Sequence, residues 1–466
     1  MALLSLALLL LPGALPSTIV PRQSSSNTAV VDLSVKKGSP QHLASGFIYG
    51  IPDTLHQIPD SFYQDIGFNY ARVGGAQLDC GGWIHGPEAY KCRLQSTYNN
   101  YLTSRKYGAK VIILPHDIWG TDHANSTTAW PGDNGNWADY DKFIDQLISD
   151  LKRLKMLDGL VFDIWNEPDL GNGNGFFWKR SQSQYLDLYS RTHKRLRQDP
   201  SLNSVLISGP SFASPPSTSS TWWTNWLARV VQDNIIPDQY TWHEEPGDPA
   251  NDIPRLNALL SQHNAPSRPI NINEYGAFDQ QTSVGAAWWI SRLERYNVIG
   301  LRGNWLSTCK LHDFMASLLG KGDTNSCTGT GYYGNGEFQV YKYYNRNMTG
   351  TRAGTTGSGD GKIDVYSTIG TNGVKILTGA QQAGTWYVKV DKLSSVGLPT
   401  SGSLTIQTYG FEDKGHFGRV DGPSNRGTNA VGLFTHTYSG DSLTFPIFQT
   451  SQDLKTAWGF EFKVGS

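Results

Sequence analysis

The sequence has almost no excess of charge of either sign. Its 39 Lys and Arg residues nearly balance its 40 Asp and Glu residues, which gives a net charge of −1, and only 17% of the residues are charged. A protein that binds nucleic acid or an anionic membrane surface through charge needs a basic surface. We therefore expect neither nucleic acid nor a membrane among the partners of this protein.

Long apolar runs are missing except at the amino terminus. Residues 1–17 form a Leu-rich run that ends at Pro-Gly and small residues, which is typical of a secretory signal peptide and too short to cross a bilayer. Cleavage could also occur later, near Arg22. The prediction is a soluble, secreted, extracellular protein, with a monomer favoured. In a eukaryotic host, Asn125 and Asn347 begin glycosylation sequons.

Cysteine is rare, with four residues in the chain. Disulfides are compatible with an exported protein, and four cysteines allow three pairings. We predict nearest-neighbour pairing, Cys80 with Cys92 and Cys309 with Cys327, because each pair then encloses one short segment. The spacing of cysteine and histidine resembles no zinc site, so no metal is expected.

Motifs of several other enzyme classes are absent. No Gly-x-Ser-x-Gly elbow indicates an esterase. The run that begins at His243 is not a His-Glu-x-x-His zinc motif, because position 247 is Gly. The Gly-x-Gly-x-x-Gly at residues 329–334 does not follow a first strand, as a dinucleotide-binding loop would. We therefore expect no cofactor.

Strand-like apolar runs alternate with helical patterns over residues 41–350. The clearest helical pattern covers residues 137–157, where apolar residues recur at helical spacing and charges fill the other face. Eight strands alternating with helices over this length favour a (β/α)8 TIM barrel. The predicted strands are residues 46–50, 68–73, 110–116, 160–166, 205–209, 239–243, 270–274 and 298–305.

The pattern of the sequence changes after residue 350. Residues 351–466 contain short alternating strands split by Gly, Asn and Asp, which predicts a β-sandwich domain. Residues 18–40 include a further alternating run, which we expect to join that domain. Aromatic residues make up 12% of the chain, but only two of its 15 Trp lie beyond residue 350. Aromatic rings serve either as core or as stacking faces for sugars, so a sugar site is expected in the barrel.

Two predicted barrel strands end in a glutamate. One runs through Asn166 to Glu167 and stops at Pro168, and the other ends at Glu274. The carboxyl ends of barrel strands form the catalytic face, and a pair of carboxylates is what glycoside hydrolysis requires. Glu167 is predicted as the general acid/base, with a pKa above that of a free glutamate, and Glu274 as the ionised nucleophile.

The motif Trp165-Asn166-Glu167-Pro168, with a later strand-terminal Glu274, resembles the clan A glycoside hydrolases. The order of a strand, a barrel and a β-sandwich is most similar to glycoside hydrolase family 39, while families 5, 30 and 79 stay open. The resemblance implies retaining double displacement at a β-glycosidic bond, with carboxyl groups about 5–5.5 Å apart. It also implies substrate-binding roles for five residues, namely Arg72, His116, Asn166, His243 and Trp305. Among these, the two histidines would touch the sugar or orient a carboxylate, and Arg72 would hold Glu274 ionised.

The predicted function is hydrolysis of β-glycosidic bonds in polysaccharide or oligosaccharide, with β-xylosidase-like activity as the default. Endo and exo action stay open. Alternatives within the same clan are an endo-β-glucanase and a β-glucuronidase. The alternative from another class is a carbohydrate-binding protein on an inactive barrel, which would have lost one of the two glutamates.

Overall fold

The computed structural model describes residues 26–173, 175–426 and 431–465. The predicted signal peptide, residues 1–17, and the second cleavage position near Arg22 lie outside the described residues. Within the described ranges, no helix has the length and apolar character needed to cross a membrane.

Eight parallel strands close into a barrel, as the alternation of strands and helices predicts. Each predicted strand is present in the predicted order, but several are shorter than predicted. The third ends before His116, which lies on a short helix, the fourth ends before Asn166, and the eighth ends before Trp305. The described chain begins with β1 (Thr28–Lys36) and then supplies the barrel strands β2 (Gly46–Ile48), β3 (Tyr70–Val73), β4 (Lys110–Ile113), β5 (Leu160–Asp163), β6 (Leu206–Phe212), β7 (Gln239–Glu244), β8 (Ile270–Tyr275) and β9 (Ile299–Arg302).

Helices surround the barrel. One of them, a 20-residue helix between β3 and β4, has no counterpart in the sequence patterns, because its buried face carries polar residues such as Thr97, Asn100 and Ser104. The helices are α1 (Asp60–Asp65), α2 (Pro87–Lys106), α3 (Pro115–Trp119), α4 (Ala138–Arg153), α5 (Gln182–Arg197), α6 (Thr221–Gln232), α7 (Pro249–Gln262), α8 (Ser283–Tyr296) and α9 (Gly336–Arg346).

A ten-stranded sheet folds into a second domain around its own core. Strand β1 belongs to it, pairing antiparallel with β12 and parallel with β15. The fold class is therefore a TIM barrel with an appended β-sandwich, as predicted. After a short pair, β10 (Leu319–Gly320) and β11 (Tyr333–Gly334), the remaining strands are β12 (Thr351–Thr356), β13 (Ile363–Ile369), β14 (Val374–Ala380), β15 (Gly384–Asp391), β16 (Gly402–Phe411), β17 (Ser424–Asn425), β18 (Leu433–Tyr438), β19 (Ser442–Gln449) and β20 (Ala457–Phe462).

Helix α8 carries the contact between the two domains. The Asp364 carboxylate on β13 is fully buried and forms ion pairs with Arg295 and, at 3.0 Å, with Arg292, both on α8. Glu294 on the same helix accepts a hydrogen bond of 2.7 Å from Arg352 on β12. Buried ion pairs therefore fix the β-domain against the barrel.

Both predicted disulfides are present. Cys80 is bonded to Cys92 with an S–S length of 2.06 Å, and Cys309 to Cys327 with one of 2.03 Å. Cys92 lies on α2, so the first bridge ties a loop to that helix. The described residues contain no cluster of His, Cys, Asp and Glu arranged to hold a metal ion. Asn125 and Asn347 are exposed, and their glycosylation stays a prediction.

Candidate active site

Polar side chains gather at the carboxyl ends of four barrel strands. Arg72 lies on β3, Glu167 follows β5, His243 lies on β7 and Glu274 lies on β8. In the register of β7 and β8, His243 stands directly opposite Glu274. Parallel barrel strands end at one face, and this is why residues about 200 positions apart in the chain meet here.

The His243 ring lies between the two predicted catalytic glutamates. Its Nδ1 is 2.8 Å from Glu167 Oε1, and its Nε2 is 3.5 Å from Glu274 Oε1. The imidazole is buried, whereas the two glutamate side chains keep 17% and 14% of their surface exposed. Both carboxyl groups are therefore at the same end of the barrel, on two sides of one ring, and reachable from solvent.

Arg72 connects the strand ends beneath this pair. Its guanidinium is buried and bonds the carboxylates of Glu274 and Asp163, the latter at 2.8 Å, and it also donates to the side-chain oxygen of Asn166. Because that oxygen faces Arg72, the amide NH2 of Asn166 is left for another acceptor. No hydrogen bond from this NH2 group occurs within the described residues.

Asp163 and Asn273 are members of the site that the sequence analysis did not select. The Asn273 amide donates to Asp163 Oδ2 and to Ser211 Oγ, each at 3.0 Å. Both residues are fully buried. The signal for them was a polar residue within an apolar strand, which requires a partner in the barrel because a desolvated polar group without one is costly.

Electrostatics in the cluster differ from the predicted pattern. Burial lowers the pKa of His243, but the carboxylates of Glu274 and Glu167 raise it to about 9. Burial raises the pKa of Glu167, but the His243 imidazolium and Arg72 bring it below the ordinary glutamate value. The raised pKa predicted for Glu167 is therefore wrong for this arrangement, because the sequence could not place a cation beside it.

The pKa of Glu274 shifts in the opposite direction. Its carboxyl is desolvated by burial, and this raises its pKa above the ordinary value although His243 and Arg72 oppose the shift. His243 contacts both glutamates, so the three groups titrate together and exchange protons with one another.

The backbone at Glu167 is in a strained region. Its φ is +42°, which a non-glycine residue seldom adopts, and its N–H donates to the Ser211 carbonyl at 2.9 Å. Strain of this kind is retained where the surrounding structure holds it, and it is common at functional sites. Here it turns the Glu167 side chain back over the barrel toward His243.

His116 and Trp305 lie at the edge of the cluster. His116 Nε2 is 3.0 Å from Asp117 Oδ1, while its buried Nδ1 has no partner within the described residues. Trp305 lies three residues beyond β9, donates its indole N–H to the Gly276 carbonyl at 3.1 Å, and exposes 45% of its surface. Gly276 lies two residues beyond Glu274, so the exposed ring of Trp305 offers a flat aromatic face close to the end of β8.

The comparisons with known proteins agree with this architecture. No family model matches the chain. A curated β-xylosidase from Geobacillus stearothermophilus is 27% identical over 175 residues, which is 31% of this chain and 33% of that protein. The chain thus aligns with about a third of the length of the curated relative.

Solved structures match nearly the whole chain. N2152 from Neocallimastix frontalis superposes with a TM-score of 0.71 at 21% identity, over 94% of this chain and 100% of the other. A monomeric β-xylosidase from Caulobacter crescentus gives 0.56 at 15%, over 94% and 100%. A glycoside hydrolase family 39 enzyme from Xanthomonas axonopodis gives 0.57 at 13%, over 96% and 100%. The predicted resemblance to clan A glycoside hydrolases is confirmed for the fold.

Proposed function

We propose that the protein is a glycoside hydrolase that cleaves β-glycosidic bonds in polysaccharide or oligosaccharide with Glu167 and Glu274. The observation that carries this proposal is the placement of both carboxyl groups against the two nitrogens of His243, at the end of the barrel where such enzymes bind substrate. A named β-xylosidase among the relatives favours β-xylosidase-like activity.

Glu274 is the proposed nucleophile. Arg72 bonds its carboxylate and His243 lies 3.5 Å away, so two cations favour the ionised form against the cost of burial. In the first step, the carboxylate attacks the anomeric carbon and the bond to the leaving oxygen breaks. In the second step, water releases the sugar from the enzyme, with overall retention of configuration.

Glu167 is the proposed acid/base, and His243 is the proposed source of its proton. Glu167 and His243 together keep a dissociable proton up to about pH 9, because the two carboxylates raise the pKa of His243 to that value. His243 Nδ1 lies 2.8 Å from Glu167 Oε1, so the protonated ring donates a hydrogen bond to that oxygen. Glu167 can therefore pass a proton to the leaving oxygen although its own pKa is lowered, since the pair shares one proton.

A neutral sugar fits the site better than a uronic acid. The Nε and both NH2 groups of Arg72 are engaged by Asp163, Glu274 and Asn166. No edge of this guanidinium is left for a uronate carboxylate, which argues against the β-glucuronidase alternative. The Trp305 face suits the apolar side of a sugar ring, and the Asn166 NH2 suits a ring hydroxyl.

Replacing each glutamate by glutamine tests the proposal. We expect Glu274→Gln to abolish turnover, and Glu167→Gln to lower kcat on an unactivated glycoside by about a hundred- to ten-thousand-fold, because acid/base catalysis contributes that much. The substrates are a panel of xylo-, gluco- and manno-oligosaccharides, with products identified by mass. Glu244→Gln, whose side chain faces away from the site, is the matched control and keeps wild-type rates.

Two further measurements separate the alternatives. The anomer formed first, followed by NMR on a β-glycoside, retains its configuration if Glu274 is the nucleophile. Sugar binding without turnover by the wild-type protein would instead identify a binding protein on an inactive barrel. We also infer an extracellular location, which the two disulfides support.

A further inference from the structure

Two consecutive glutamates at the end of β7 point to opposite sides of the barrel wall. Glu244 is fully buried and accepts a hydrogen bond of 2.8 Å from the Trp242 indole, outside the barrel near α7. Glu245 follows β7 in a turn, and the groups that act on its carboxyl are those of the site, namely Glu274, His243, Glu167 and Arg72. Glu245 is thus on the same side as the catalytic pair, one step further toward the mouth of the barrel.

The Glu245 carboxyl occupies a space that a glycine leaves open. A Cβ added to Gly303 would lie 2.2 Å from Glu245 Oε1. The Gly303 N–H donates to the Tyr275 carbonyl at 2.8 Å, so Gly303 abuts the residue that follows Glu274. The carboxyl of Glu245 therefore lies across the β8–β9 edge of the site, next to Glu274.

No side chain in the described part of the chain forms an ion pair with this carboxyl, although the charges of His243 and Arg72 partly oppose the rise of its pKa. Glu245 Oε1 is buried and has no hydrogen-bond partner there. An ionised carboxylate in such a place would lose its hydration without compensation. Burial, with the Glu274 carboxylate adding to it, raises the pKa of Glu245 to about 9. The groups facing it are Glu274, Glu167, His243 and Arg72.

We propose that Glu245 is a substrate-binding residue whose carboxyl, as a neutral acid, donates a hydrogen bond to a hydroxyl of the sugar that Glu167 and Glu274 attack. This role rests on the proposed function and deepens it. A neutral carboxylic acid has one O–H donor, and a sugar hydroxyl is an acceptor of matching size. A site that binds a hydroxyl in this way discriminates strongly against sugars that lack it.

The test compares protein variants with substrates that lack single hydroxyls. We expect Glu245→Ala to lower kcat/KM on the preferred aryl β-glycoside by about 10- to 100-fold. Glu245→Gln, which keeps an N–H donor, should stay within about tenfold of wild type. For one monodeoxy form of that glycoside, the wild type should show a lower kcat/KM than for the parent glycoside. Glu245→Ala should show nearly the same kcat/KM for the two substrates, because the substitution and the missing hydroxyl remove the same contact.

Two variants serve as controls. Gly303→Ala adds a methyl group where Oε1 lies and moves the carboxyl without changing Glu245, so it should weaken discrimination against the same deoxy sugar. Glu244→Ala tests the neighbouring glutamate on the other face of the strand, and its discrimination should equal that of the wild type. Circular dichroism and the thermal midpoint identify any variant that fails to fold.

The outcomes distinguish this inference from the proposed function. Suppose the wild type turns over glycosides and Glu274→Gln abolishes that turnover. If Glu245→Ala then keeps the full wild-type penalty for every deoxy substrate, Glu245 contacts no hydroxyl and the inference is overturned. If the wild type turns over no glycoside, the proposed function fails and the role of Glu245 fails with it.

Discussion

His243 is the residue on which the properties of the two glutamates depend. One ring contacts both carboxyl groups, and its positive charge lowers the pKa of Glu167 and opposes the rise in the pKa of Glu274. The family resemblance implies that His243 touches the sugar or orients a carboxylate. The contact with Glu167 at 2.8 Å makes the second role the better supported proposal.

Replacing His243 by Gln should move the acid side of the pH profile. Without the imidazolium, the pKa values of Glu167 and Glu274 both rise, so Glu274 becomes ionised only at higher pH. We expect the acid limb of kcat/KM to shift upward by about one pH unit or more. The measurement is kcat/KM from pH 3 to 10, with His436→Gln as a control distant from the site. An acid limb that stays in place would contradict the role of His243.

At the scale of the element, the end of β7 also connects to α7. Glu244 there lies beside Asp252 on α7, and burial together with that neighbouring carboxylate raises the pKa of Glu244 to about 9. The folded protein thus keeps a proton on Glu244 over a pH range in which the unfolded chain, with an ordinary value of 4.5, has lost it. Stability from this group is present below the unfolded pKa and is lost as pH rises through the folded one.

Glu244→Gln should therefore change how stability depends on pH. Glutamine has the shape of the neutral acid but does not titrate, so the variant gains stability relative to wild type as pH rises from 5 to 9. The measurement is the difference in thermal midpoint between variant and wild type across that range. Glu88→Gln alters an exposed glutamate on α2 and should give a flat difference. A flat difference for Glu244→Gln as well would refute the raised pKa of Glu244 in the folded protein.

At the scale of the whole molecule, the β-domain is held to the barrel by α8. Asp364 accepts hydrogen bonds from Arg295, forms an ion pair with Arg292 and is inaccessible to solvent. Removing one member of a buried ion pair leaves the other charges desolvated and unpaired, which costs more than the pair itself contributes. The two domains should consequently unfold together.

Asp364→Ala should lower the free energy of unfolding by about 3–5 kcal/mol, because two arginines lose their buried partner. The measurement is equilibrium denaturation in urea, with one transition expected for the wild type. Asp421→Ala breaks an exposed pair with Arg419, both largely exposed, and should change the free energy by no more than about 1 kcal/mol. Equal effects of the two substitutions would show that the domain contact does not depend on Asp364.

Local sequence patterns were sufficient to predict the eight barrel strands, their order, the β-sandwich and the two disulfides. Apolar runs that end in Asn166-Glu167 and in Glu274 are local patterns, and a barrel fold then directs both strand ends to one face. Helix α2 escaped prediction because its buried face is polar, so the periodicity of apolar residues that identifies a surface helix is missing.

The electrostatics of the site depend on contacts that form only in the folded protein. The ring of His243 between two carboxyl groups, the Asp163 and Asn273 network, and the space that Gly303 leaves for Glu245 all join residues from different strands. A pKa depends on burial and on charges within a few ångströms, and neither can be read along a chain. This is why the sequence predicts the positions of Glu167 and Glu274 but not the direction in which the pKa of Glu167 shifts.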